Sequence, residues 1–289
     1  MGQMGKFRLV ALDLDDTLLR SDLSISFRTR NAIRRAMQEG VSIVLASGRV
    51  PQALDSFAKI LGLHKKDGYL ICSNGTIITE SRTGKVVFET WVPKNAALVA
   101  FDLADAEGFP VQLYDDDVMY ISRRNEYTSY DEKLTGLRQV VVSNFRSMVE
   151  AGAHKLIIPG DPMILRPLED IIRTYLGTDI SLFTSKPYFL EILPPNIDKG
   201  SALAFIAQKL DVPREEVFAI GDSMNDEAML RWAGCGVAMA NSDPRIKNIA
   251  SLITEHSNDD DGVAEVVERY ILGNEPVPNA VMPNTAGSA

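Results

Sequence analysis

Phe7-Arg8-Leu9-Val10-Ala11-Leu12-Asp13-Leu14-Asp15-Asp16-Thr17-Leu18 runs from an apolar half into an acidic one. Its first half is short, apolar and nearly free of charge, the texture of a buried strand in a parallel sheet. Ligands of such sheets sit beyond the carboxyl ends of the strands, where this run delivers Asp13, with Asp15 one residue further on. Two carboxylates this close disfavour double ionisation, and they are costly unless a cation or a reacting group needs them. Taken alone, Asp-x-Asp fits a strand end running into a turn equally well, because Asp favours both.

Composition sets the outer bounds. The 289 residues, 45% hydrophobic, suffice for one large domain or two. A formal charge of -9 and a pI near 5.0 argue against nucleic acid as a partner, since such surfaces are basic. Any phosphate-bearing ligand is therefore expected to be small and locally attracted. Cys72 and Cys235 lie in apolar or glycine-rich settings without metal-type spacing and are read as buried free thiols of a reducing compartment. No apolar stretch approaches the roughly 20 residues that span a bilayer, so no membrane partner is expected and the protein is placed in the cytoplasm.

Along the chain, strand and helix patterns alternate. A helix near Phe27 to Glu39, a strand Ser42 to Ala46, a helix Gln52 to Leu61 and a strand Tyr69 to Cys72 come after the first run. The alternation resumes with a helix after Lys199, a strand Val217 to Ile220, a helix near Asn225 to Trp232, a strand Gly236 to Met239, a helix near Asp243 to Ala250 and a strand Leu252 to Ile253. This is the α/β pattern of a Rossmann-like, doubly wound parallel-sheet core. Between about Lys85 and Leu193 the texture changes. Strands Pro110 to Tyr114 and Val118 to Ser122 flank Asp115-Asp116-Asp117 as a hairpin, and helices Asn95 to Glu107 and Pro162 to Leu176 intervene. An α+β insert is expected, giving residues 1–84 and 194–273 as the core, 85–193 as the inserted domain and 274–289, with Pro276, Pro278 and Pro283, as a disordered tail. The Asp triplet reads better as a solvated turn than as a metal cluster, because three adjacent side chains cannot all face one ion.

Three further segments fall at predicted strand ends. Ser47-Gly48-Arg49 offers a hydroxyl and backbone N–H groups at a helix start, which suit phosphate oxygens, although an ordinary Ser-Gly helix start explains it as well. Asp198-Lys199-Gly200 places an ammonium in a helix's first turn, against the helix dipole, which hints at a reason beyond the helix; a plain surface lysine is the alternative. Gly221-Asp222-Ser223-Met224-Asn225-Asp226 ends an apolar strand in an oxygen-rich turn suited to a hard cation such as Mg²⁺.

Together, Asp13-x-Asp15-x-Thr17, Ser47-Gly48-Arg49, Lys199 and Gly221-Asp222-x-x-Asn225-Asp226 resemble the four motifs of the haloacid dehalogenase-like phosphatases. The insert after the second motif, Cys72-Ser73-Asn74-Gly75, the run Gly234 to Ser242 and Asp259-Asp260-Asp261-Gly262-Val263-Ala264 resemble the Cof-type sugar-phosphatase branch. The last of these segments also reads as a helix cap.

The resemblance implies a Mg²⁺-dependent hydrolysis of small phosphorylated metabolites, sugar phosphates or related monoesters, through an aspartyl-phosphate. It makes Asp13 the nucleophile and Asp15 the acid and base. It implies Mg²⁺ held by Asp13, the backbone carbonyl of Asp15 and Asp222; phosphoryl contacts from Thr17, Ser47, Gly48 and Lys199; and support from Asn225 and Asp226. Asp16 either tunes Asp15 or caps the turn. Arg49 either touches phosphate or forms a surface salt bridge, and Asn74 with Gly75 lies near substrate or simply makes a tight turn. The insert would act as a cap, with Tyr114, Arg123, Tyr188 and Glu191 as specificity candidates, although ordinary core or surface packing explains each of them better. Relatives often carry a glycine and a neutral residue ahead of the lysine, where this chain reads Pro194-Pro195-Asn196-Ile197-Asp198. Phosphoryl transfer to a sugar, as in a phosphomutase, and a non-catalytic phosphometabolite-binding protein are the alternative readings. His64, His154 and His256 have no metal or triad spacing and read as structural.

Overall fold

The computed structural model describes residues 7–66, 68–115, 118–273 and 275–277. The chain forms two compact units, Met1–Ala46 with Leu203–Ala289, and Ser47–Ala202 between these segments in sequence. The sequence-based boundaries at 84 and 194 instead assign residues 47–84 and 194–202 to the core. Most of the expected tail, along with Asp116 and Asp117 of the Asp triplet, lies outside the described residues.

The first unit opens with β1 (Leu9–Asp13), α1 (Phe27–Gln38) and β2 (Ser42–Ala46). The second begins with α2 (Pro51–Leu61), β3 (Tyr69–Cys72), β4 (Ile77–Glu80), β5 (Val86–Glu89), α3 (Lys94–Ala106), β6 (Gln112–Asp115), β7 (Val118–Ile121), α4 (Glu126–Thr135), β8 (Arg138–Val141) and α5 (Phe145–Ala151). It continues through β9 (Leu156–Pro159), α6 (Pro162–Leu176), β10 (Ser181–Lys186) and β11 (Phe189–Leu193) into α7 (Lys199–Lys209). The first unit is completed by β12 (Val217–Gly221), α8 (Glu227–Trp232), β13 (Cys235–Ala238), α9 (Pro244–Lys247), β14 (Leu252–Ile253) and α10 (Gly262–Val266).

Strands of the first unit run in the order β14-β13-β12-β1-β2, every pair parallel. This is the Rossmann-like α/β core. All residues of β1, β12 and β13 are buried, as parallel strands covered on both faces require, which is why their sequences are apolar without alternation. The first strand starts two residues later than its apolar run suggests and takes in Asp13. Phe7, ahead of it, is still buried because its ring packs edge-on against Phe218 at 5.0 Å. The expected helix from Asp243 to Ala250 shortens to Pro244–Lys247, with the Asp243 side chain accepting the Arg245 N–H at its start. In the segment from Asn225, a tight turn over Met224–Asp226 precedes α8, because Asp226 folds back to cap it.

The second unit is α+β. Strands β3, β4 and β5 form an antiparallel meander, and a six-stranded sheet of order β10-β11-β9-β6-β7-β8 is antiparallel except at β7 with β8. Its two faces differ in chemistry. Val111, Leu113, Leu156, Ile158, Leu190 and Ile192 pack with Ala100 and Phe101 of α3, Val149 of α5 and Ile172 of α6 into one apolar core. The register sets Gln112 opposite Ile157, and Ile157 opposite Glu191, so the other face carries Gln112, Glu191 and, two residues on from Gln112, Tyr114. Helix α4 lies against that polar face: Asp131 accepts from Gln112 at 2.6 Å, and Gln139 donates to the Thr128 carbonyl. Among the described residues, no helix is long and apolar enough to cross a membrane.

Phe218 is fully buried against Phe7 and Tyr270. Phe218→Ala should lower the unfolding free energy by about 3–5 kcal/mol in urea denaturation, the usual cost of emptying an aromatic core site. Cys72 and Cys235 are buried and free, and burial pushes the Cys72 thiol up to about 12, so it stays protonated near neutrality. The folded protein at pH 8 should leave both thiols unlabelled by a disulfide reagent, and both should react once guanidinium unfolds it.

Candidate active site

The carboxyl ends of adjacent strands β1 and β12 bring three carboxylates together. Asp13 is the last residue of β1, Asp222 comes directly after β12, and Asp226 lies one turn further on. All three are buried, and one oxygen from each falls within 4.8 Å of the others. Glycine at 221 is a steric requirement, because a Cβ there would come within 2.6 Å of Asp226 Cβ and Cγ. Folded back in this way, Asp226 Oδ2 accepts the N–H groups of Asp222 at 3.0 Å and Ser223 at 3.1 Å. The Ser223 hydroxyl donates to Asn225 Oδ1 at 2.6 Å. Thr17 Oγ1 donates its one proton to Asp222 Oδ1 at 3.1 Å, so Thr17 steers that carboxylate. Three buried carboxylates around one point repel strongly, and their hard oxygens suit a divalent cation such as Mg²⁺. Sequence reasoning counts Asp226 as support for the metal; the geometry adds its carboxylate to the group that can hold it.

The turn Leu14–Leu18 carries the other acidic residues. Asp15 is extended and Asp16 takes the left-handed conformation at φ 61°, both half-buried. Asn241 Nδ2 donates to the Asp16 carbonyl at 2.7 Å, the Asn258 N–H donates to Asn241 Oδ1 at 3.1 Å, and Asn258 Nδ2 donates to the Leu19 carbonyl at 2.9 Å. Just beyond, Ser21 donates its N–H to Asp259 at 2.8 Å and Arg20 pairs with Asp261 at 3.0 Å. Residues of the run Gly234 to Ser242 and of the segment Asp259 to Ala264, together with Asn258, thus brace the turn that holds Asp15.

In the second unit, Ser47-Gly48-Arg49 and Ser73-Asn74-Gly75 are laced together. The Asn74 N–H donates to the Ser47 carbonyl at 2.9 Å, and the Ser73 N–H to the Arg49 carbonyl at 2.8 Å. Ser73, Asn74 and Gly75 are all left-handed, at φ 48°, 57° and 104°, a costly run for the two residues that have side chains. A Cβ on Gly75 would lie 2.5 Å from the Asp198 carbonyl, so glycine is what allows this loop to meet the turn before α7. There Asp198 and Ser201 cap the helix reciprocally at 2.7 and 3.0 Å, and Lys199 is wholly buried, which excludes the plain surface lysine. Asn196 sits at φ 59°, a left-handed conformation that asparagine tolerates better than most side chains. The Arg49 guanidinium lies over the Phe57 ring at 5.5 Å.

The candidates on the insert divide. Glu191, buried, accepts from Asn74 Nδ2 at 2.9 Å and from Lys155 Nζ at 3.1 Å. Tyr114 donates to Asp131; burial, with the charges of Asp131 and Glu191 beside it, holds the phenol well above its ordinary range. Burial likewise raises Asp131, against the lowering pull of that hydrogen bond and of Lys155. A cavity of about 240 Å³ lined by Gln52, Ser73, Glu89, Tyr114, His154 and Lys155 lies next to this network. Tyr188 sits in the turn between β10 and β11 and packs with Tyr127, Tyr130 and Phe189, ring centroids 4.7 to 6.0 Å away. Arg123 is exposed and paired with Asp105. His154 stacks on Trp91 at 3.7 Å and His256 meets Glu265 at 3.0 Å, both in structural settings. Sequence reasoning passed over Lys155, Asp131 and Asn258. Lys155 alone left a signal, a charge heading the apolar run Leu156-Ile157-Ile158.

Asp226→Asn keeps an oxygen for the two backbone N–H groups but loses the charge. It should unfold at nearly the wild-type temperature while binding Mg²⁺ about 10- to 100-fold more weakly by calorimetry, whereas Asp226→Ala should lose both stability and affinity.

Residues 10–267 match the haloacid dehalogenase-like hydrolase family. A crystal structure of such a hydrolase from Bacteroides thetaiotaomicron is 33% identical, with a TM-score of 0.82 over 91% of this chain and 99% of that one. The 5-amino-6-(5-phospho-D-ribitylamino)uracil phosphatase YcsE of Bacillus subtilis is 30% identical across 92% of this chain and 96% of its own. Phosphatase YwpJ of the same organism is 28% identical across 91% of this chain and 100% of its own. With its Rossmann-like core, acidic strand ends and full-length relatives of this kind, the chain belongs to the haloacid dehalogenase-like hydrolase family and is an enzyme of the phosphatase type.

Proposed function

We propose that this phosphatase is Mg²⁺-dependent and hydrolyses small phosphorylated metabolites, sugar phosphates or related monoesters, through an aspartyl-phosphate. The observation that carries the reading is the buried group of Asp13, Asp222 and Asp226, oxygens within 4.8 Å of one another at the ends of two adjacent parallel strands. Mg²⁺ would be held by Asp13, Asp222 and the backbone carbonyl of Asp15, with Asp226 beside them. It would supply the positive charge that lets an anionic nucleophile meet an anionic phosphate.

Asp13 attacks phosphorus as the ester P–O bond breaks, and Asp15 gives its proton to the departing oxygen. Asp15 then takes a proton from water, which attacks phosphorus, breaks the bond to Asp13 and releases inorganic phosphate. Ser47, the backbone at Gly48, and Lys199 bind the phosphoryl oxygens, while Thr17 orients Asp222. Asp16 and Asn225 shape the turns that carry Asp15 and Asp226. Residues 85–193 act as the cap that sets leaving-group specificity, and Tyr114 lines a cavity of the second unit. A ribityl phosphate such as the one named for YcsE belongs to the size class expected.

Phosphate release from a panel of phosphorylated metabolites, with and without Mg²⁺, tests this reading. Release should require the metal and should vanish in Asp13→Asn, whose isosteric amide leaves the fold in place but is no nucleophile. Measurable turnover by that purified variant would remove Asp13 from the role.

A further inference from the structure

Lys155 is nine-tenths or more buried and so is its partner Glu191. Its ammonium spends its donors on structure: one to Glu191 Oε2 at 3.1 Å, one to the Gly48 carbonyl at 2.9 Å, with the Tyr114 ring beneath it at 5.2 Å. Glu191 Oε2 in turn accepts from Asn74 Nδ2 at 2.9 Å, and Asn74 returns its N–H to the Ser47 carbonyl at 2.9 Å. The links close a ring, Ser47-Gly48 to Lys155 to Glu191 to Asn74 and back to Ser47. Strand pairing builds the ring. Glu191 lies opposite Ile157, and Lys155, two residues before Ile157, lies on the same face of the sheet.

Burying such a pair gains little stability, because desolvation of both charges offsets their attraction, and packed apolar residues often do as well. The ring has a different product. It ties a loop of small residues, already laced to Ser73 and Asn74 through its backbone, to the sheet, and it holds Asn74 in a left-handed conformation that other side chains adopt reluctantly. A Cβ at Gly48 would meet the Asn74 amide at 3.3 Å, so that amide is packed directly onto the Ser47-Gly48 turn.

We infer that Lys155 and Glu191 are positioning residues: they set the Ser47-Gly48 turn for the transferring phosphoryl group without touching the substrate. This rests on the proposal that Ser47 and Gly48 bind that group. Loss of the pair should then act on kcat, where orientation of the phosphoryl oxygens matters, and leave KM in place.

The test compares kcat and KM on p-nitrophenyl phosphate with Mg²⁺, alongside thermal unfolding, for Lys155→Met, the double variant Lys155→Met/Glu191→Met, and Asn74→Ala. Lys155→Met strands a buried carboxylate and should lose stability together with kcat. The double variant should regain the wild-type unfolding temperature yet keep kcat about 10- to 100-fold down with KM within about threefold. Asn74→Ala, which disturbs no charge, should show the same split. Recovery of kcat with stability in the double variant would reduce the pair to a structural role and overturn the inference. So would a rise in KM at unchanged kcat, which would make Lys155 a substrate contact. Asp13→Asn run in parallel separates the two levels: turnover by that variant removes the aspartyl-phosphate reading, whereas its inactivity beside an unchanged Lys155→Met/Glu191→Met condemns only the positioning pair.

Discussion

Repulsion among Asp13, Asp222 and Asp226 is the constraint around which the first unit is arranged. Three carboxylates gathered at a buried point are costly unless neighbouring dipoles, a proton or a cation offsets their charge. The parallel pairing of β1 with β12 brings the two strand ends level, Leu12 opposite Ile220, and so delivers Asp13 and Asp222 side by side. The turns at the two strand ends then refine the placement. Gly221 gives way so that Asp226 can fold back onto two backbone N–H groups, and Thr17 aims its proton at Asp222.

The turn after β1 closes through the Leu19 N–H on the Leu14 carbonyl at 2.8 Å, and further bracing arrives from more than two hundred residues away. Asn241 and Asn258 hold carbonyls at Asp16 and Leu19, and Asp259 and Asp261 tie down Ser21 and Arg20. These are side-chain amides and carboxylates used as substitutes for the backbone pairing that a turn lacks. An acidic segment that in isolation reads as a helix cap is spent on this structural task.

The second unit solves a comparable problem with a two-faced sheet. One face is closed by an apolar core with α3, α5 and α6; the other accumulates Gln112, Tyr114, Lys155 and Glu191, each buried or half-buried and each hydrogen-bonded. Such a network gains little stability over an apolar surface, and here Gln112 Oε1 is left without a partner among the described residues, so its value lies in the geometry it imposes on the loops it touches.

Apolar patterning along the chain carries the α/β alternation of the core and the strand ends at which the acidic motifs fall. Apolar runs such as Val10–Leu12 and Val217–Ile220 read as doubly covered parallel strands, and strands of that kind present their next residues to a ligand. Boundaries such as Ser42–Ala46, Tyr69–Cys72 and Pro162–Leu176 were legible because apolar periodicity and local breakers agree there. Only tertiary structure decided which polar residues share a point. That Asp226 joins Asp13 and Asp222, that Thr17 serves Asp222, and that Lys155 meets Glu191 and Gly48 depend on strand register and on loops returning from far along the chain. Local spacing carries no record of such pairings, because a side chain's partner across a sheet is set by the register of strands that are distant in sequence.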